Sequence, residues 1–154
     1  MPLQNRIHKH TPRVWYGRGP NETYPDRKTS GRVAVHSLPV EAWPHPYVKP
    51  QDNANRTRVR WVEFADEAGE GLRIVADEPL NVSARPYTDS TLAAADHTYD
   101  LRPAGATTVH LDAAIYGVGG DDSWGLRTHP QYTVPADEPH RMRLWLRPAT
   151  AETP

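Results

Sequence analysis

The chain has 154 residues, a formal net charge of -1, no cysteine and a mean hydropathy of -0.76. Its length suits one domain, and a charge this close to zero gives no electrostatic field that would attract nucleic acid or an acidic membrane surface. The lack of cysteine excludes disulfides, thiolate nucleophiles and cysteine zinc sites, and no apolar run approaches the roughly 20 residues of a membrane helix. We therefore expect a soluble cytoplasmic protein without nucleic-acid or membrane partners.

Proline and glycine divide the first half of the chain into short segments. The 16 prolines and 10 glycines of the whole sequence disfavour long helices. Residues 1–11 read as a polar lead-in, and "WYGRGPNETYPDRKTSG" (15–31) is typical of turns. The sequence then predicts a strand at "RVAVHS" (32–37) and a long loop at "LPVEAWPHPYVKPQDNAN" (38–55), pinned by Trp43 and Tyr47.

The second half shows clearer periodicity. "RTRVRWVEF" (56–64) predicts a strand whose alternation breaks at Val62, as at a β-bulge, and "GLRIVA" (71–76) predicts another. "TDSTLAAAD" (88–96) has a Ser/Asp capping signal and predicts one short helix. The strands predicted at "TVHLDAAIY" (108–116) and "RMRLWLR" (141–147) each place apolar side chains on one face, namely Val109, Leu111, Ala113 and Ile115, and Met142, Leu144 and Leu146.

These short strands between turns predict an all-β fold, an antiparallel sheet or sandwich. We expect the domain to span residues 12–147. Residues 148–154 form a polar tail that is expected to be disordered.

The segment "GVGGDDSWG" (117–125) places a tryptophan on flexible backbone directly after a predicted strand. A flat indole can stack on the apolar C–H face of a sugar, while Asp121 and Asp122 accept hydrogen bonds. Alternatively, Trp124 covers the core of this chain and the aspartates cap turns. Composition leaves both interpretations open, but a dinucleotide site is excluded because no helix follows the glycines.

The sequence predicts no catalytic residue and no metal ligand. Asp121 and Asp122 are neighbours whose side chains tend to point apart, which suits glycoside hydrolysis by paired carboxylates badly. Ser123 lies outside a GxSxG motif, and His8 and His10 form an isolated HxH. Other carboxylates fall in predicted turns and read as solvated: Asp66, Glu67, Glu70, Asp77 and Glu78.

Three motifs follow one another along the chain: "WYGRGPNETYPDR" (15–27), "PYVKPQDNANRT" (46–57) and "GVGGDDSWG". In the first, a salt bridge from Arg27 to a carboxylate is the favoured interpretation. Together the motifs strongly resemble the C-terminal domain of the large bacterial β-galactosidases of glycoside hydrolase family 2, which read approximately WxGxGPxExYxDR, PYxxPQExGNR and GxGGDDSW. The resemblance runs from about residue 12 to 146, with Ala54 where the family commonly has glycine.

The resemblance implies part of an antiparallel, galactose-mutarotase-like β-supersandwich, its C-terminal half, with one short helix. It implies that Trp124 is the substrate-binding residue, an aromatic platform that reaches an active site on a central barrel. The resemblance also implies a set of loop-shaping residues, Gly119, Gly120, Asp121, Asp122 and Ser123, and a structural motif, Gly17, Gly19, Pro20, Glu22, Tyr24, Asp26 and Arg27. The family's catalytic glutamates, Mg²⁺ and monovalent cation lie elsewhere, so no cofactor is expected on this chain.

Two functions follow as hypotheses. The chain is part of a β-galactosidase, which hydrolyses terminal β-D-galactose residues, and it is inactive without the remainder of that polypeptide or a large subunit. Alternatively, it is a stand-alone carbohydrate-binding module or an inactive truncated product. Half of a sandwich also leaves an apolar face uncovered, so we expect possible self-association through a surface formed by Val109, Leu111, Ile115, Leu144 and Leu146.

Overall fold

The computed structural model describes residues 12–66, 68–122 and 124–149. They form six β-strands and one α-helix: β1 (Pro12–Gly19), β2 (Arg32–Pro39), β3 (Arg56–Ala65), β4 (Gly71–Arg85), α1 (Asp89–Ala94), β5 (Thr108–Asp112) and β6 (Leu144–Ala149). Short 3-10 turns lie in the connections at Val40–Ala42, Thr98–Asp100 and Pro130–Tyr132. None of the described helices has the length and apolar character to cross a membrane. The lead-in predicted for residues 1–11 lies outside the described residues.

The strands belong to one antiparallel sheet in the order β2-β1-β3-β4-β5, with β6 also paired to β4. Strand β4 has 15 residues, and β3 runs along one of its edges. Its other edge holds two short strands, because β6 pairs with the first half of β4 and β5 pairs with the second. The prediction of an all-β antiparallel fold with one short helix is confirmed.

The sheet buries one face beneath the loop of residues 38–55. Trp15 and Ile74 belong to the core cluster on this face, and Trp43 from the loop packs edge-on against Trp15 at 4.8 Å between ring centroids. The guanidinium of Arg56 lies 5.0 Å from the centre of the Trp43 ring. Burial lowers the pKa of Arg56 to about 10. Trp43 therefore pins the loop, as predicted.

The opposite face of the sheet carries a row of apolar side chains across five strands. Val35, Tyr16, Trp61, Val75 and Trp145 are successive cross-strand partners and so lie on one face. We call this set the open-face row. Val35 is 61% exposed and Trp145 is 41% exposed, so the row presents apolar surface to its surroundings.

The prediction of which residues form the uncovered apolar face is wrong. Val109, Leu111 and Leu144 pack against the buried core, and Ile115 lies beyond the end of β5. Leu146 alone of the predicted set is strongly exposed, at 50%. The exposed apolar surface of the sheet lies mainly on the open face instead.

Strand β1 occupies residues that the sequence predicted as turns. Its glycines are needed for close packing, because a Cβ on Gly17 would lie 2.8 Å from the Cα of Val59. A Cβ on Gly19 would lie 2.7 Å from the Trp15 ring. Such contacts exclude any larger residue, so glycine here marks a crowded strand rather than a turn.

The ends of β5 and β6 also differ from the prediction. Asn81 pairs with Asp112 at the end of the β4–β5 ladder, and Pro79, two residues earlier in β4, has no N–H with which to continue it. Strand β6 begins at Leu144 and extends to Ala149, so the tail predicted from residue 148 begins two residues too early. Residues 150–154 lie outside the described residues.

The irregularity in β3 falls earlier than predicted. The register shifts lie between Arg56 and Trp61, on the N-terminal side of Val62. Arg58 adopts a φ of 57° there, which places the extra residue of the bulge in the left-handed region.

Candidate functional site

Trp124 stands on the surface of the chain, on what we call the glycine loop (residues 117–125). Its exposed fraction is 93%. The interpretation in which this ring covers the chain's own core is therefore wrong. A large apolar side chain held in this position offers a flat surface to a molecule outside the described residues.

The tip of the glycine loop is folded around the carboxylate of Asp122. One oxygen, Oδ1, accepts hydrogen bonds from the backbone N–H groups of Trp124 at 2.9 Å, Gly125 at 3.0 Å and Leu126 at 3.2 Å. These three bonds, that from Gly125 first, hold the pKa of Asp122 below its usual range. The position of Trp124 is thus fixed through its own main chain.

Asp121 points to a different partner. Its Oδ1 lies 2.7 Å from Nε2 of His129, a residue that the sequence analysis did not single out. Asp121 and Asp122 therefore diverge, as predicted for adjacent side chains. The hydroxyl of Ser123, the remaining polar member of the predicted set, lies outside the described residues.

Two glycines of the loop are required by close approach of the backbone. A Cβ on Gly120 would lie 2.2 Å from the carbonyl oxygen of Leu126, and one on Gly117 would lie 2.6 Å from Cγ2 of Thr128. The Thr128 hydroxyl donates to the carbonyl oxygens of Gly117 at 3.0 Å and Gly119 at 2.6 Å. The two arms of the loop are therefore held against each other.

An open cavity of about 460 Å³ lies on this loop. Tyr116, Trp124 and Leu126 supply its large apolar side chains, and Arg127 and Asp122 add charge. The cavity is open to solvent and its lining is mainly polar, so it forms part of a binding surface rather than an enclosed apolar pocket.

The segment of the first motif is organised by Glu22. Its carboxylate accepts hydrogen bonds from the Tyr24 hydroxyl at 3.3 Å, from the backbone N–H of Ala54 at 3.1 Å and from the Tyr47 hydroxyl. Arg27 is 3.8 Å from the same carboxylate. The predicted Arg27–carboxylate pair is confirmed, but it is one contact among four.

The pKa values of Tyr24 and Tyr47 are both raised in this environment. Burial first, and then the charge of Glu22, raises the pKa of Tyr24 above its usual range. The hydrogen bond to Glu22 is the largest cause of the raised pKa of Tyr47. Both phenols therefore stay neutral and act as donors to Glu22.

Asp26 makes a contact that sequence reasoning missed. Its carboxylate accepts the backbone N–H groups of Val118 at 3.1 Å and Gly119 at 2.7 Å. The motif resemblance implies only a structural role for Asp26 within its own segment. No local spacing signals a bond between residues about 90 positions apart, so only the fold brings the two motifs together.

The remaining members of the structural motif lie at the end of β1. Gly17 and Gly19 belong to that strand, and Pro20 follows a cis peptide bond from Gly19. Among the described residues, no group of three or more His, Cys, Asp or Glu side chains is placed to hold a metal ion.

Comparison with known proteins places this chain in a family. The family model of the β-galactosidase small chain matches residues 3–146. The β-galactosidase of Priestia megaterium is 40% identical over 135 residues, which are 88% of this chain and 13% of that protein. The β-galactosidase of Lactobacillus delbrueckii subsp. bulgaricus is 41% identical over 135 residues, 87% of this chain and 13% of that protein.

A β-galactosidase of Vibrio vulnificus is 33% identical over 151 residues, 97% of this chain and 14% of that protein. The chain thus spans between 13% and 14% of the length of these relatives. With a family model that covers nearly all of its residues, the chain belongs to the β-galactosidase small chain family.

Proposed function

We propose that this chain is the C-terminal piece of a cytoplasmic bacterial β-galactosidase of glycoside hydrolase family 2, and that it presents Trp124 to the sugar. The observation that supports this role is the 93% exposure of an indole on an ordered loop. The apolar C–H face of a galactose ring stacks on such a surface, with a gain of about 1 kcal/mol.

The bond-breaking groups belong to another part of the enzyme. A retaining glycosidase uses two carboxylic side chains, one as nucleophile and one as acid and base. Here Asp122 is engaged by three backbone N–H groups and Asp121 faces His129, so neither is free for that chemistry. The family resemblance implies that Mg²⁺ and a monovalent cation bind elsewhere in the complete enzyme, and the same is proposed here.

The partner is the remainder of the β-galactosidase polypeptide or a large subunit. The relatives are far longer than this chain, which covers 13% of two of them. The open-face row supports such a partner, because exposed Val35 and Trp145 on a sheet face are typical of surfaces that pack against further structure.

The test replaces Trp124 in the enzyme reconstituted from this chain and its partner polypeptide. Trp124→Ala is expected to raise the KM for a galactoside by roughly five-fold, which corresponds to about 1 kcal/mol. Trp124→Phe, which keeps an aromatic face, should recover most of the loss. An unchanged KM and kcat in Trp124→Ala would refute the role of the ring.

A stand-alone carbohydrate-binding module is the second candidate. It is supported by the open cavity on the glycine loop, where Trp124 lies beside Tyr116 and Arg127. Titration of the 154-residue chain with galactose, followed by tryptophan fluorescence, separates the two functions. Saturation below millimolar sugar that disappears in Trp124→Ala supports the module, and no response at millimolar sugar supports the enzyme part.

A further inference from the structure

In the part of the chain that the structure describes, the long-range hydrogen bonds of the glycine loop involve one side chain, that of Asp26. Among the hydrogen bonds of the described residues, most of those made by segment 117–132 stay within it, such as Gly117 to Tyr132 and Thr128 to Gly119. Thr133, the next residue along the chain, donates two bonds to the carbonyl oxygen of Pro130. The two bonds that join the segment to a residue distant in sequence both end on the carboxylate of Asp26. Among the described residues, Asp26 is therefore the long-range hydrogen-bonding partner of the loop.

Asp26 is itself held in a fixed position. It occupies a tight turn closed by reciprocal backbone bonds between Tyr24 and Arg27, at 3.0 Å and 2.9 Å. Tyr24 is buried and donates to Glu22, which also accepts the N–H of Ala54 in the core. The turn is thus tied to the core before Asp26 reaches out to the loop.

The fit between Asp26 and the loop is close. Its two oxygens accept the N–H groups of consecutive residues, Val118 and Gly119. A Cβ on Gly117 would lie 2.8 Å from Cγ of Asp26, so the carboxylate sits directly against the backbone there. Charged acceptors make the stronger hydrogen bonds of proteins, which makes this an effective anchor for one arm of the loop.

We propose that Asp26 is a positioning residue for Trp124: its carboxylate fixes the arm at Val118 and Gly119 and so determines where the indole stands. This inference rests on the proposed sugar-binding function of Trp124. Asp26 holds the backbone at residues 118–119 through two hydrogen bonds. That backbone leads to the loop tip, where the carboxylate of Asp122 accepts the N–H of Trp124.

The first experiment measures the position of the ring without any sugar. The full chain is labelled with 5-fluorotryptophan, and the ¹⁹F resonance of Trp124 is assigned from its absence in Trp124→Phe. Asp26→Ala should shift or broaden this resonance and leave the other four tryptophan resonances in place. Asp137→Ala, whose exposed carboxylate meets no donor among the described residues, is the matched control and should change none of them.

The second experiment measures galactoside binding in the reconstituted enzyme. Asp26→Ala is expected to raise KM by roughly the five-fold factor of Trp124→Ala while kcat changes less. In the Trp124→Ala background, Asp26→Ala should add little, because both changes remove the same interaction. Asp26→Asn keeps one acceptor oxygen and should lie between Asp26→Ala and the unmodified enzyme.

The outcomes separate this inference from the proposed function. An unmoved Trp124 resonance in Asp26→Ala, or KM effects that simply multiply in the double variant, would overturn the role of Asp26. A displaced resonance together with a normal KM in Trp124→Ala would support the anchor and refute the sugar platform.

Discussion

Replacing Glu22 by alanine should strongly lower the free energy of unfolding of the chain. The substitution removes the acceptor of the Ala54 N–H and of the Tyr24 and Tyr47 hydroxyls. Ala54 is fully buried and Tyr24 is nearly so, so their donors lose a partner that water does not replace. Tyr47 is only half-buried, and its hydroxyl can turn to solvent.

The size of the effect follows from these two buried donors. A buried polar group left without a partner costs about 1–3 kcal/mol, and two of them give a loss of about 2–4 kcal/mol after the smaller gain from removing a desolvated carboxylate. With a urea dependence of about 2 kcal/mol per molar, the unfolding midpoint should fall by roughly 1–2 M. Glu22→Gln keeps one acceptor oxygen and should lose less.

Urea unfolding followed by far-ultraviolet circular dichroism measures this loss. Glu78→Ala is the control, since Glu78 is exposed on β4 and its carboxylate meets no partner among the described residues. Absorbance titration at high pH gives a second readout, because loss of the hydrogen bond to Glu22 should bring the pKa of Tyr47 down towards its usual value. A midpoint for Glu22→Ala equal to that of Glu78→Ala would refute the reasoning.

Three further outcomes are expected. The folded state lowers the pKa of Asp122, so its carboxylate is ionised at neutral pH and holds the loop tip. Acid that protonates this carboxylate, below its usual pKa, should loosen the tip and change the ¹⁹F signal of Trp124. Asp122→Asn should remove that acid dependence. Gly120→Ala should abolish the loop's contribution to galactoside KM, since its Cβ meets the Leu126 carbonyl, whereas Gly125→Ala, with open space around it, should not. Trp145→Arg on the open face should suppress self-association of the isolated chain in sedimentation velocity, and an unchanged association constant would exclude that face.

The elements that could be predicted from the sequence are those whose pattern is local. Alternation alone predicted β2 and the first part of β4. The short helix α1 lies in the predicted segment, but its N-cap is Thr88 rather than the Ser/Asp signal, with the Thr88 hydroxyl accepting the Thr91 N–H at 3.1 Å. Trp43 was identified as the residue that pins the long loop because so large a ring in a proline-rich segment needs a core to enter.

The errors arise where the deciding contact is distant in sequence. Gly17 suggested a turn, but it lies in β1, where the backbone of Val59 on the neighbouring strand β3 leaves no room for a side chain. The alternation of residues 108–116 continues past Asp112, but the ladder with β4 ends at the pair Asn81 and Asp112, and β4 contains a proline, Pro79, two residues earlier. The two hydrogen bonds that Asp26 accepts from Val118 and Gly119 also join residues that are distant in sequence.

The distribution of hydrogen bonds around Trp124 has a consequence for binding. Ordering a flexible loop costs about 1–2 kcal/mol per residue in backbone entropy, which would exceed the gain of about 1 kcal/mol from one stacked ring. Here Asp122 and Asp26 together engage five backbone N–H groups of the segment, so that ordering takes place when the chain folds. A ligand that stacks on Trp124 would then have to restrict only the rotamer of a side chain with two χ angles, at about 0.5 kcal/mol, which is less than the gain from stacking. An exposed ring on a pre-ordered backbone can therefore contribute to affinity, while the same ring on a mobile glycine segment could not.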